Sequence, residues 1–116
     1  MAENEHCYAF LDIFPANPGH TLVIPKTHVK DIHEADAASY AHVAAMAKDV
    51  ADLLAEKLDS DGTTIFQMSR EAGWQTVFHL HMHVIPRWVD DGLHKPWDIA
   101  PASEESLTHV AQQIAK

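Results

Sequence analysis

The stretch that decides the fold is HLHMHVI, residues 79–85, in which three histidines alternate with apolar residues. Successive side chains of a β-strand point to opposite faces of the sheet, so this alternation predicts a strand with all three imidazoles on one face. We expect the strand to run from Gln75 to Ile85 and to stop at Pro86, which has no N–H for a ladder hydrogen bond. The opposite face should pack on a helix through its apolar residues, Phe78, Leu80, Met82 and Val84.

A row of imidazoles suits proton transfer and nucleophilic attack near neutral pH, because the unperturbed pKa of histidine is about 6.5. A neutral ring nitrogen can attack phosphorus, while a protonated neighbour holds phosphoryl oxygens or protonates the leaving group. Neighbouring histidines on a strand lie about 6.6 Å apart and the outer pair about 13 Å apart. This spacing fits successive groups of a phosphate ester better than one zinc ion, whose nitrogen ligands lie about 2.0–2.1 Å from the metal.

Outward from this stretch, the sequence predicts an α+β fold: an antiparallel β-sheet with one long helix packed on it and a C-terminal helix. The turn-rich segment Pro15–Gly19 should join two antiparallel strands, and apolar residues at three- and four-residue steps mark the long helix. In chain order, the predicted elements are strands over 6–13 and 20–25, a helix of about 20 residues, a strand over 63–68, a turn over 70–74, the 75–85 strand and a helix over 103–115.

Local signals refine these elements. Tyr8, Phe10 and Leu11 are expected as core contacts of the first strand, and Cys7 as a buried thiol. Asp36 is expected to cap the long helix, and Gly62 to end it in a left-handed conformation.

Length and composition bound the protein class. The chain has 116 residues, which predicts one domain over 1–116. The net charge is −9, and the chain shows no basic patch of the kind that binds a nucleic-acid polymer. It also has no apolar run of the roughly 18 residues that span a membrane. The single cysteine and the polar, acidic start, without a secretory signal, lead us to expect a cytoplasmic protein.

The sequence resembles the histidine triad (HIT) superfamily in two blocks. The first comprises FLDI (10–13) and PGHTLVIPK (18–26); the second comprises QTV (75–77) and the triad itself. The triad segment spans 75–87. A C-terminal extension over 88–116 follows it, as in the bacterial HIT-like and dinucleoside-polyphosphate hydrolase branches. The resemblance implies a small-molecule nucleotide substrate, a homodimer, and no metal or other cofactor in the chemical step.

The resemblance also implies roles for individual residues. His81 would be the nucleophile that forms a nucleotidyl-histidine intermediate, with His79, His83 and His20 assisting at the phosphate and the leaving group. The nucleotide itself would be held by residues of both blocks and the loop between them: Asp12 at the ribose, Ile13, Ser69, and Gln75 and Thr76 beside the phosphate.

Two departures from the family pattern keep other functions open. Set against the family pattern, the sequence is expected to begin at the family's second strand, without the usual N-terminal helix and strand. Met68 stands where a polar amide commonly contacts the phosphate, with Ser69 as a possible substitute. The alternatives are therefore a nucleotide-binding or scaffolding module with little catalytic activity and, more weakly, a histidine-ligated metal-binding protein. In the extension, His94, Lys95 and Trp97 could fold over the site, whereas Trp74 is expected to be a packing residue and His28, His33, His42 and His109 to lie on the surface.

Overall fold

In the computed structural model, which describes residues 1–116, a five-stranded antiparallel sheet carries one long helix on one face. The strands lie side by side in the order β1-β2-β3-β5-β4. Their bounds are β1 (Ala2–Glu3), β2 (Cys7–Leu11), β3 (Thr21–Pro25), β4 (Gly62–Gln67) and β5 (Met82–Arg87), and the helices are α1 (Ala37–Leu58) and α2 (Glu104–Ile114). The predicted α+β class is confirmed, and β1 is an additional short strand that the sequence did not indicate.

The core lies between α1 and the sheet. It contains apolar residues from α1, β2, β3, β5 and the segment just before β5: Cys7, Ala9, Val23, Val43, Met46, Ala47, Val50, Leu54, Leu80, Met82 and Val84. The prediction is confirmed for Cys7 and for the three apolar residues that alternate with the histidines. It is wrong for Phe78, which is 51% exposed because it precedes β5 and does not follow the strand alternation.

The first long strand turns its small residues toward the helix. Cys7 and Ala9 are buried, whereas Tyr8, Phe10 and Leu11, the predicted core contacts, are exposed. Period-two alternation fixes which residues share a face but not which face is covered. Tyr8 and Phe10, on the face opposite Cys7 and Ala9, line an open cleft of about 430 Å³, whereas Leu11 is exposed at the end of the strand.

Both ends of α1 have a local cause. The side chain of Asp36 accepts a hydrogen bond from the backbone N–H of Ser39, which confirms the predicted N-cap. The left-handed residue at the other end is Asp59, with φ of 54°, and not Gly62, which instead begins β4. Asp tolerates this conformation better than most residues because its short polar side chain can bond locally.

β5 begins at Met82, later than predicted, and it includes Pro86. Pro86 pairs with Thr63 of β4, while β3 pairs with β5 only as far as Val84. The carbonyl of Pro86 accepts a hydrogen bond from Asn17, on the side away from β4. The ring nitrogen faces that same side, so no ladder bond is lost and the strand continues.

The remaining chain is less closely packed. The segment over 88–103 has no regular structure. α2 begins after the Ser103 N-cap, close to the predicted start at residue 103, and none of its residues is buried. Neither helix is long and apolar enough to cross a membrane.

Candidate active site

The site forms where β3 and β5 lie next to each other. His83 lies within β5, opposite Leu22 of β3, and His20 immediately precedes β3. Asp12 follows β2, and its backbone N–H donates to the carbonyl of His20 at 2.9 Å. His79 and His81 lie just before β5, so only one of the three triad histidines is part of the strand.

His81 has one ring nitrogen fixed and one free. Its Nδ1 lies 2.7 Å from the backbone carbonyl oxygen of His79, which can only accept, so Nδ1 carries the proton. In the neutral ring, Nε2 then holds an unshared electron pair. The ring of His81 is partly exposed and lies 5.0 Å from that of His83, centroid to centroid. His81 Nε2 is therefore able to act as a nucleophile, because the contact with the His79 carbonyl keeps the proton on Nδ1.

His20 and His83 share a directed hydrogen bond. The backbone N–H of Ala16 donates to His20 Nδ1 at 2.9 Å, so the proton of neutral His20 is on Nε2. His20 Nε2 lies 2.9 Å from Nδ1 of His83 and donates to it. The proton of neutral His83 is consequently on Nε2, which is buried and has no partner.

Burial keeps His83 neutral. Desolvation, with the charges of His81 and His20 adding to it, lowers the pKa of His83 to about 4, whereas the Asp12 carboxylate opposes the shift. Burial likewise lowers the pKa of His20, again against Asp12, whose Oδ2 lies 3.6 Å from His20 Nε2. The Phe66 ring stacks on His83 with centroids 4.4 Å apart. His83 thus presents an unpaired N–H donor, and a buried donor without an acceptor costs about 1–3 kcal/mol.

His79 makes two contacts in this region. Its carbonyl accepts the hydrogen bond from His81 Nδ1, and its side chain is held by a hydrogen bond of its own. Its Nε2 donates to the backbone carbonyl of Pro25 at 3.1 Å. The ring of His28 meets it edge-on, with centroids 4.9 Å apart. His28 is exposed, as are the other three histidines predicted to lie on the surface: His33, His42 and His109.

Gln75 and Ser69 hold loops. Gln75 is buried; its Oε1 accepts from the N–H of Arg70, and its Nε2 donates to the carbonyls of Lys30 and Val77. Ser69 Oγ accepts from the N–H of Ile32 and is bonded to the Gln67 amide. The amide of Gln75 is fully used by the backbone, so its effect on a nucleotide would be through the loop.

The segment just before the triad offers free backbone donors. Thr76 is exposed, and the N–H groups of Thr76, Val77 and Phe78 have no acceptor within the protein. Adjacent free N–H groups favour the binding of an anion. Ile13 is 85% exposed, next to Asp12. The structure therefore brings together His20, His81, His83 and Asp12, places His79 beside them, and leaves Thr76 and Ile13 open to solvent.

The C-terminal extension returns to the loop over 70–74. The rings of Trp97 and Trp74 lie 5.5 Å apart, and both are more than half exposed, so Trp74 is not the packing residue that we expected. His94 and Lys95 are exposed. Arg70 and Trp74 in this loop have positive φ angles of 64° and 74°.

Asp12, His20 and His83 place three possible metal-ligand atoms within 4.8 Å of one another. A metal would need the electron pair of His20 Nε2, but the Ala16 N–H already uses the pair on Nδ1. Neutral imidazole has only one unprotonated nitrogen. As folded, these residues do not fit a metal ion, because His20 would have to lose its remaining proton or its contact with Ala16.

Comparison with known proteins identifies the family of the chain. A family model described as HIT domain matches residues 1–89. The chain is 32% identical over 116 residues to adenosine 5'-monophosphoramidase hnt1 of Schizosaccharomyces pombe, covering 99% of this chain and 84% of that protein.

Solved structures of HIT family proteins share the fold of this chain. A HIT family protein from Bacillus anthracis superposes with a TM-score of 0.87 at 34% identity, over 98% of this chain and 83% of that one. A zinc-bound histidine triad family protein from Mycobacterium smegmatis gives a TM-score of 0.78 at 37% identity, over 97% and 85%. By sequence, fold and histidine pattern, the chain belongs to the HIT domain family.

Proposed function

We propose that this protein is a nucleotide hydrolase or nucleotidyl transferase that acts on a nucleoside phosphate ester, a phosphoramidate or a dinucleoside polyphosphate. One observation carries the proposal: the His79 carbonyl holds the proton of His81 on Nδ1, which leaves Nε2 free to attack, 5.0 Å ring to ring from His83. The family and the phosphoramidase relative support this chemical class.

The reaction has two balanced steps. In the first, His81 Nε2 forms a bond to the α-phosphorus, and the bond from phosphorus to the leaving group breaks. The leaving group takes a proton from His79, since the bound phosphate anion favours the protonated form of a nearby imidazole. In the second, water attacks phosphorus, the bond from phosphorus to Nε2 breaks, and the water proton returns to the histidine that gave one up.

The other polar groups hold the substrate. The free N–H groups over 76–78 are donors for phosphoryl oxygens, and donors of this kind stabilise the charge that develops there. Asp12 follows β2, with its Oδ2 3.6 Å from His20 Nε2, and would accept hydrogen bonds from the ribose hydroxyls.

The test is mass spectrometry of the protein after brief mixing with adenosine 5'-phosphoramidate. We expect a mass gain of one adenylyl unit in the wild type, located on His81, and none in His81→Asn. The matched control is His33→Asn, an exposed histidine outside the site, which should still be labelled. Full turnover by His81→Asn would overturn the proposal.

A nucleotide-binding module with little turnover is the second candidate. Two observations favour it. The Nε2 of His83 is covered, and Ser69, the substitute for the amide missing at Met68, already makes hydrogen bonds within the protein. Tight binding of AMP without any adduct or hydrolysis over a panel of phosphoramidates and dinucleotides would favour this candidate.

We also propose a homodimer that pairs through β4. This edge strand reads GTTIFQ; it contains no charge and no proline, and Ile65 and Phe66 are exposed. Edge strands of proteins that stay monomeric usually carry charges, prolines or bulges that prevent pairing.

A further inference from the structure

A polar cluster lies beyond the site, at the end of β5. Arg87 donates two hydrogen bonds to the Asp91 carboxylate, of 2.6 Å from Nε and 3.0 Å from Nη2. The same carboxylate accepts from the backbone N–H groups of Trp88 and Leu93. The side chain of Asp91 is 8% exposed, and these donors hold its pKa well below the usual range, with Arg87 the largest cause. The cluster is therefore a fixed, charged anchor.

Asn17 joins this anchor to the loop that carries His20. Its Nδ2 donates to Asp91 Oδ2 at 2.9 Å and to the carbonyl of Pro86 at 3.0 Å, so both amide protons are used. Its backbone carbonyl accepts from the N–H of His20 at 3.0 Å. Asn17 is buried, and a buried amide with both protons bonded fixes the backbone that bears it.

The loop position decides the tautomers of the site. Ala16 precedes Asn17, and its N–H donates to His20 Nδ1, which puts the His20 proton on Nε2. That proton bonds to His83 Nδ1, which puts the His83 proton on Nε2. Each bond in this series depends on the one before it.

We propose that Asn17, held by the Arg87–Asp91 pair, is a positioning residue that sets the tautomers of His20 and His83. Its side chain bonds to Asp91 and to the Pro86 carbonyl, and it acts on the histidines through the Ala16 N–H. The assignment of the tautomers stands on the hydrogen bonds alone, and only its effect on turnover rests on the proposed function.

The experiment is two-dimensional 15N–1H NMR of the histidine rings, which distinguishes protonated from unprotonated ring nitrogens. In the wild type at pH 7.5 we expect both rings with the proton on Nε2. In Asn17→Ala we expect His20 to become a mixture of tautomers and His83 to change with it. The control is Thr64→Val, which removes a partner of Arg87 Nη1 but leaves the contacts of Asn17 intact, and which should keep the wild-type pattern.

Kinetics with adenosine 5'-phosphoramidate give the second readout. We expect kcat of Asn17→Ala to fall roughly tenfold to a hundredfold, with KM little changed and the pH profile of kcat shifted, because a loss of proton placement affects proton transfer more than binding. A purely structural clamp would move stability without changing the ring signals or the pH profile.

Two results would overturn the proposal. One is a wild-type spectrum with the His20 proton on Nδ1. The other is an unchanged pair of tautomers in folded Asn17→Ala or, where that variant does not fold, in Asp91→Asn. If the wild type shows no nucleotide turnover, the proposed function is contradicted, but the tautomer measurement stays valid.

Discussion

At the scale of single residues, the neutral state of His83 links the site to the stability of the fold. Its pKa falls from 6.5 to about 4 on folding because the ring is desolvated. Below pH 6.5 the unfolded chain binds a proton that the folded protein does not, so stability is lost as the pH falls from 6.5 toward 4. The expected loss from this residue is about 3 kcal/mol.

Urea unfolding of the wild type and of His83→Gln at pH 7.5, 6.0 and 5.0 checks this prediction. The free energy of unfolding should fall with pH less steeply in His83→Gln than in the wild type. His33→Gln controls for the loss of an exposed imidazole. Equal pH dependence in the wild type and His83→Gln would contradict the role of burial.

Much of the site at this scale could be predicted from the sequence, but its protonation could not. The spacing of residues 79, 81 and 83 indicated a histidine site, and His20 was indicated by the family pattern. The tautomer of His20, in contrast, depends on a backbone N–H of Ala16, and that of His81 on the carbonyl of His79. Backbone contacts of this kind leave no mark in residue identity, so Asn17 was missed as well.

At the scale of elements, the loop before β3 is packed against the end of α1. Gly19 has φ of +94°, and a Cβ there would lie 2.6 Å from Leu58 Cδ1 and 3.1 Å from Pro86 Cγ. We expect Gly19→Ala to lower the free energy of unfolding by about 2–3 kcal/mol, from backbone strain and overpacking together.

Gly92→Ala is the matched control in chemical denaturation. Gly92 has φ of +81°, but a Cβ there would meet no atom within 4 Å. Its substitution should cost about 1 kcal/mol, the part due to backbone conformation alone. Equal losses in the two variants would show that the contact with Leu58 contributes nothing.

The elements themselves were easier to predict than their limits. Helical periodicity and the Asp36 cap located α1, and turn chemistry located the β2–β3 hairpin. The start of β5 was missed because alternation of histidine and apolar residues continues into a segment whose backbone has no strand partner. The covered face of β2 was missed because Cys7 and Ala9 are small and the larger residues face an open cleft.

At the scale of the whole molecule, the uncharged edge of the sheet is the surface that we expect to pair. Ile65→Lys places a charge on β4 and should convert a dimer to a monomer in size-exclusion chromatography with light scattering. Ile114→Lys, on exposed α2, is the comparison variant. Dissociation caused by Ile114→Lys and not by Ile65→Lys would contradict pairing through β4.

The contact between Trp74 and Trp97 provides an intrinsic fluorescent probe. One indole belongs to the loop that leads into the triad and the other to the C-terminal extension, and their centroids are 5.5 Å apart. Both rings are largely open to water, so their emission responds to any ligand that covers or separates them. A nucleotide that does either would be detected by intrinsic fluorescence, without a dye and without waiting for turnover.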